Sequence, residues 1–296
     1  MRDTKISRRD FFAVGTAAAA SGLVARPSDA GDRGGKPTSR VVLIRDRAVL
    51  DQEGQPESEA LHRMLNRGLV ELTGTEDSAS AWKKLFSPED VVGIKSNVWS
   101  RLPTPPALEE AMRAELQRVG VAPGNIAVDD RAVKSNPVFR RATAFINTRP
   151  MRTHNWAGLG TCLKNVITFT ERYPDYHADA CAPLGSIWLR PELKGKVRLN
   201  ALVMLTPQFH STGPHSFSKE FVWPYRGLIL GFDPVAVDAT GARVIEAKRK
   251  LYFGDDRPIS PPPHHIQVAE TQYGVGVADQ ERIEVVRLGW TEDALI

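Results

Sequence analysis

Short apolar runs alternate with amphipathic helical stretches along this chain, and few architectures tolerate that order. Val41-Val42-Leu43-Ile44 is an unbroken apolar run, as in a strand buried on both faces. Glu57 to Leu72 then carries Ala60, Leu61, Met64, Leu65, Leu69 and Leu72 at helical spacing. Val91 to Lys95 reads as a second strand. Pro105-Pro106 opens a helix through Val119, with Glu109 and Glu110 early in it and Gly120 as its stop. Ile126 to Val128, Ala144 to Asn147, Leu199 to Leu205, Leu228 to Leu230 and Ile283 to Leu288 read as further strands. Pro234 to Lys250, capped by Asp233, and His264 to Gln272 read as helices. The order predicts an α/β fold, a mostly parallel sheet with flanking helices. No internal repeat is present. A subdivision near residue 200 is considered, although nothing in the composition marks one.

The amino terminus has a different character. Ser7-Arg8-Arg9-Asp10-Phe11-Phe12 is followed by an Ala- and Gly-rich stretch to about Ala25, and Ser28-Asp29-Ala30 ends in small residues. Basic head, modest apolar run and small-residue exit are the parts of an export signal, and the paired arginines point to the twin-arginine route. Residues 1–30 are therefore expected to be a signal peptide, 31–40 a linker and 41–296 the working domain. The expected location is periplasmic or otherwise exported, with the twin-arginine export machinery as a partner. Residues 1–30 carry five basic and three acidic side chains, so removing them lowers the formal charge from +4 to +2. That balance gives no ground for binding nucleic acid. No later segment is apolar enough to span a bilayer, so no membrane span is expected in the mature form.

The segment from Arg149 to Pro183 has few strand signals and reads as a loop-rich site region. It holds His154 and His177, suited to proton transfer or to nickel, zinc or copper ligation, and Lys164, a nucleophile where burial lowers its pKa. Gly158 and Gly160 let backbone approach a ligand. Arg149 and Arg152 flank His154 and match a carboxylate or phosphate as guanidinium forks. The bland alternative for each is a hydrogen-bonded or solvated surface residue. Neither a His-x₃-His nor a Cys-x₂-Cys spacing is present. Two cysteines, Cys162 and Cys181, leave one disulfide open and exclude a four-cysteine cluster.

Three blocks give the chain a resemblance to the domain-of-unknown-function-362 family over nearly the whole mature region. They are Val92-Gly93-Ile94-Lys95-Ser96-Asn97, then Thr153-His154 leading to Leu163-Lys164-Asn165 and His177, then Leu228-Ile229-Leu230 followed by Asp233-Pro234-Val235-Ala236-Val237-Asp238. The family implies no assigned activity. His154-x-x-Ala157-Gly158-x-Gly160, with Lys164 ten places after the histidine, also resembles the active-site segment of lactate racemase. That resemblance implies Lys164 as the tether of a nickel-pincer nucleotide, His177 as a nickel ligand and His154 as an acid/base. It departs at Val128-Asp129-Asp130-Arg131, where the family's second histidine is missing and Asp129 or Asp130 is the stand-in.

Other residues weigh less. Lys95, at a strand end, is a candidate for holding an anionic group. His210 and His215 sit at a Gly-Pro turn, and metal binding there has little support. His264-His265 has less, because neighbouring helical side chains diverge. Asp238 has no capping role to explain it. The working reading is an enzyme moving a proton or hydride on a small anionic molecule. Lys95, His154 and Asp129 are its catalytic candidates, Lys164, Asn165 and Arg152 the cofactor-binding ones, and His177 the metal ligand. The cofactor stays open, with nickel or another transition metal as the candidate. The competing reading is a non-catalytic metal-binding or accessory protein serving an electron-transfer partner.

Overall fold

Sixteen helices and strands follow one another, eleven of them where the hydrophobic alternation predicts, in a computed structural model that describes residues 39–211 and 216–296. They are β1 (Ser39–Arg45), α1 (Ser58–Thr73), α2 (Ser78–Leu85), β2 (Val92–Lys95), α3 (Pro106–Val119), β3 (Ile126–Asp129), α4 (Pro137–Arg140), β4 (Ala144–His154), β5 (Gly158–Gly160), α5 (Cys162–Asn165), α6 (Ala178–Cys181), β6 (Val197–Gln208), β7 (Gly227–Gly231), α7 (Pro234–Phe253), α8 (His264–Thr271) and β8 (Ile283–Gly289). All of these belong to one compact unit, and Asn200 lies inside β6, paired on both sides. The predicted export signal and His215 lie outside the described residues. The predicted linker ends early, because β1 already begins at Ser39.

The sheet order is β3-β2-β4-β6-β7-β1-β8, with β5 paired to β4. β3, β2, β4 and β6 run parallel, as do β1 and β8; β7 is antiparallel to both β6 and β1. The mostly parallel α/β expectation therefore holds. β1 explains itself in its four apolar residues. Val41 and Leu43 point into one core layer and Val42 and Ile44 into the other, as a period of two requires in a strand covered on both faces. Leu61, Leu65 and Leu69 of α1 and Leu108 and Met112 of α3 fill the layer with Val42. Val237, Val244 and Ile245 of α7 and Ile266 of α8 fill the layer with Val41.

Five short elements, α2, α4, β5, α5 and α6, have no counterpart in the sequence reading, and β4 is longer than it predicts. α2 was not anticipated; Asp77 caps it by accepting from Ser80 N at 2.8 Å, and Ala81, Trp82 and Leu85 bury its inner face. β4 runs on to His154 and is buried throughout, so Arg149, Arg152 and His154 stand on a strand and not in a loop. Its polar composition hid it. The strand sits between β2 and β6 and spends its polar side chains inside the protein instead of on solvent.

β2 also packs tightly. A Cβ on Gly93 would lie 2.6 Å from the Phe145 ring and 3.2 Å from that of Phe139, both buried. Overpacking of this kind costs about 1–3 kcal/mol. Gly93→Ala is expected to lose stability in that range by urea unfolding, and an unchanged midpoint would contradict the packing described.

Candidate functional site

The site grows from one short helix. α5 has four residues, too few to hold itself, and its own N-cap residue Thr161 makes no side-chain capping bond to it. Asp238, one turn into α7, caps it from outside. Its carboxylate accepts from Cys162 N at 2.9 Å, Leu163 N at 2.8 Å and Thr161 Oγ1 at 2.5 Å. This is the role that the sequence left open for Asp238. Burial raises its pKa to about 7, against those three hydrogen bonds.

Capped in this way, α5 places Lys164 and Asn165. Asn165 faces the sheet. Its Nδ2 donates to Asn147 Oδ1 at 2.8 Å, Thr148 O at 3.0 Å and Lys95 O at 3.2 Å, and its Oδ1 lies 3.4 Å from Lys95 Nζ and from Asn97 Nδ2. Asn147 Nδ2 continues the chain to Asn200 Oδ1 at 3.0 Å. Asn165 is thus a fastener between α5 and the sheet.

Lys95 is fully buried and is equally committed. Its ammonium donates to Asp130 Oδ1 at 2.5 Å and to Ser96 O at 2.7 Å. Burial lowers its pKa to about 8, opposed by Asp130, whose own carboxyl is held below its usual range. Asp129 stands apart from this group. Its oxygens accept from Ala132 N and Asn136 Nδ2, each at 2.9 Å, which closes the turn after β3. Of the two aspartates at the missing histidine, Asp130 faces the site, and Asp129 shapes the chain.

Arg149, Arg152, His154, Lys164 and His177 form the second group. The register of β4 against β6 breaks between Pro150 and Arg152, and the side chains of both Arg149 and Arg152 pack beside Gly160. A Cβ there would meet Arg149 Nη2 at 2.7 Å and Arg152 Cγ at 3.4 Å, so only glycine leaves the arginines room. Gly158, with φ of 69°, brings β5 against Pro261 O, where a Cβ would lie at 2.2 Å. Arg149 and Arg152 are 3% and 5% exposed. Nε of Arg149, and Nε and Nη1 of Arg152, are buried without a hydrogen-bond partner among the described residues. Gln208, paired to Arg152 across the strands, leaves both amide atoms unsatisfied as well. The Arg152 guanidinium lies 4.2 Å over the Trp99 ring.

Electrostatics ties the group together. Burial first, and then the charges of Arg149 and Arg152, lower the pKa of Lys164 to about 8; the Cys181 thiol, 3.5 Å from its amine, opposes them. Burial first, then Lys164, Arg149, Arg152 and His177, keep His154 neutral far below its ordinary range. Its Nδ1 accepts from Trp156 N at 3.1 Å, which puts its proton on Nε2 as a donor. His177 stacks on Trp156 with ring centroids 4.3 Å apart, and burial and Lys164 lower it to about 4. Cys162 and Cys181 are both free and buried, so the disulfide left open by the sequence is absent. Three successive left-handed residues, Asp179, Ala180 and Cys181, deliver the Cys181 thiol to Lys164.

His265, discounted from sequence, is fully buried with Nε2 3.4 Å from Thr161 Oγ1. The divergence of neighbouring helical side chains is what turns it inward while His264 faces out. His210 is no metal ligand in this arrangement: its Nδ1 takes a bond from Arg249 Nη1 at 2.9 Å. Among the described residues, no three His, Cys, Asp or Glu side chains converge as a metal site. The described side chains alone therefore do not make a metal site of this cluster.

The low pKa of Lys164 is directly measurable. Competitive acetylation read by peptide mass spectrometry is expected to give Lys164 a titration midpoint near 8, against about 10.4 for ordinary lysines. A midpoint among the exposed lysines would contradict the buried, cation-flanked placement.

Comparison with known proteins agrees with part of the resemblance. Among curated proteins and among solved structures, no match is found. Residues 121–243 do match a family model, and they carry Asp130, Arg149, Arg152, His154, Lys164, His177 and Asp238; the Val92–Asn97 block falls outside. That stretch matches the model of the family described as domain of unknown function (DUF362).

Proposed function

We propose that the chain binds a small anion, a carboxylate or phosphate, between Arg149, Arg152 and Lys164, and moves a proton on it. One observation carries this reading: buried guanidinium N–H groups with no partner. Burying a cation unpaired costs several kcal/mol, and an anion that accepts those bonds removes the penalty. The nearby carboxylates do not serve, because Asp130 holds Lys95 and Asp238 caps α5. Lys164 is the proton carrier of choice, since an amine with pKa about 8 is divided between its two forms near neutrality. His154 donates from Nε2 and orients the ligand. A metal-bearing group attached covalently would be held by Lys164 and His177 and would supply a hydride acceptor; the anion reading does not depend on it. Among the described residues no carboxylate is hydrogen-bonded to His154, which favours a second reading, anion binding without turnover, and product analysis with the bound anion separates the two.

Small carboxylates, phosphate and sulfate titrated by calorimetry test the pocket. Arg152→Gln removes a charge-assisted bond worth about 1.5–3 kcal/mol and is expected to weaken binding at least about tenfold. Affinity is expected to fall as pH rises through about 8, where Lys164 loses its proton, while the arginines stay charged. A full panel without binding, or binding indifferent to Arg152→Gln, overturns the proposal.

We also propose that the protein works after export by the twin-arginine route, on the strength of Ser7-Arg8-Arg9 and the apolar run behind it. Arg8→Lys with Arg9→Lys is expected to retain the protein in the cytoplasm on cell fractionation. Normal export of that variant would sink the idea.

A further inference from the structure

The idle polar atoms beside Arg152 include a neutral side chain as well as the guanidiniums. Gln208, the last residue of β6, is 0% exposed, and neither its Oε1 nor its Nε2 has a hydrogen-bond partner among the described residues. Buried amides are normally satisfied. Arg152 keeps two idle donors next to it, Nε and Nη1, and no bond joins the two side chains.

Three strands set Gln208 beside the arginines. Gly160 of β5 pairs with Arg152 of β4, and Arg152 pairs with Gln208 of β6. Directly paired residues project from the same face of a sheet, so Gly160, Arg152 and Gln208 form one cross-strand row. Gly160 tells which way the row faces. A Cβ built there would meet Arg149 Nη2 at 2.7 Å and Arg152 Cγ at 3.4 Å. The Arg149 guanidinium therefore lies over the Gly160 end, Arg152 stands in the middle, and Gln208 closes the other end. Neighbouring strands are about 4.8 Å apart, a step that one small oxyanion bridges.

An amide presents one acceptor and one donor whichever way round it is turned. A ligand that satisfies both offers a donor and an acceptor from neighbouring atoms. An ionised carboxylate has no proton to give. A protonated one gives it, and then carries no charge for the arginines. Sulfate keeps its charge and has no proton at neutral pH. Hydrogen phosphate has a P–OH for Oε1, a charged oxygen for Nε2, and two more oxygens for Arg149 and Arg152.

We infer that Gln208 is the specificity-determining residue of this pocket and selects hydrogen phosphate over anions that have no proton of their own. The inference rests on the anion-binding reading of Arg149 and Arg152 and narrows its ligand to one class. Phosphate monoesters lose their last proton with a pKa of about 6. Inorganic phosphate keeps one across the neutral range and is the better match.

Calorimetry with inorganic phosphate and with sulfate, on the full chain and on Gln208→Leu, Gln208→Met and Arg152→Gln, tests this. Phosphate is expected to bind at least about tenfold tighter than sulfate, the upper range for one hydrogen bond. Gln208→Leu is expected to abolish that preference by weakening phosphate and leaving sulfate unchanged. The substitution removes no side-chain bond present among the described residues, and circular dichroism checks the fold. Gln208→Met, unbranched like glutamine, is the second apolar replacement, and the preference of the unaltered chain is a test in itself. Equal binding of the two anions, both weakened in Arg152→Gln, overturns the inference and leaves the anion reading standing. A preference that persists in both Gln208 variants also overturns it. No binding, or binding indifferent to Arg152→Gln, overturns the two together. Glycerol phosphate is expected to lose affinity relative to inorganic phosphate as pH rises through about 6, and a constant ratio overturns the part assigned to the proton.

Discussion

The carboxylate of Asp238 is the contact on which the rest of the site depends. α5 is one turn long and has no independent stability, yet it carries both Lys164 and Asn165. Three donors, Thr161 Oγ1, Cys162 N and Leu163 N, converge on one buried aspartate of α7. Loss of that acceptor would leave buried donors unpaired at about 1–3 kcal/mol each. Asn165 then ties the turn to β2 and β4, and only after both anchors are in place does Lys164 meet the arginines.

Two networks of opposite character meet at α5. On the side of β2, every charge is matched: Lys95 with Asp130, Asn165 with the carbonyl oxygens of Lys95 and Thr148. On the side of β4, charges are left unmatched: among the described residues, Arg149, Arg152 and Lys164 meet the Cys162 and Cys181 thiols and the fields of Asp130 and Asp238. The first network resembles a scaffold and the second a receptor. Natural chains satisfy most buried polar groups, so the cluster of unsatisfied ones is itself informative.

Much of the layout was legible in the sequence, for physical reasons that can be named. β1 and β7 are apolar on both faces, α1 keeps its period for sixteen residues, and Asp233-Pro234 marks the start of α7, where Asp233 accepts from Val235 N at 2.8 Å. β4 was legible only as far as Asn147. Beyond it the strand carries arginine, threonine and histidine inward, and a period-two hydrophobic signal vanishes when both faces are polar. Asp129 and Asp130 were indistinguishable, because a strand end decides which of two neighbours faces the site. Lys95 and Asn165 were drawn as ligand contacts, although their bonds are internal. His265 was discounted, and no local signal tells a buried helical histidine from an exposed one.

If an anion binds at Arg149 and Arg152 as proposed, the two arginines of β4 also act as a filter for the sign of charge. At an effective dielectric constant of about 20, two like charges 4 Å apart repel by about 4 kcal/mol, nearly a thousandfold in affinity. An amine, or a metal ion without its own ligands, would meet that repulsion from Arg149 and Arg152 together. Polarity would thus sort the molecules that enter before shape has any part in the choice.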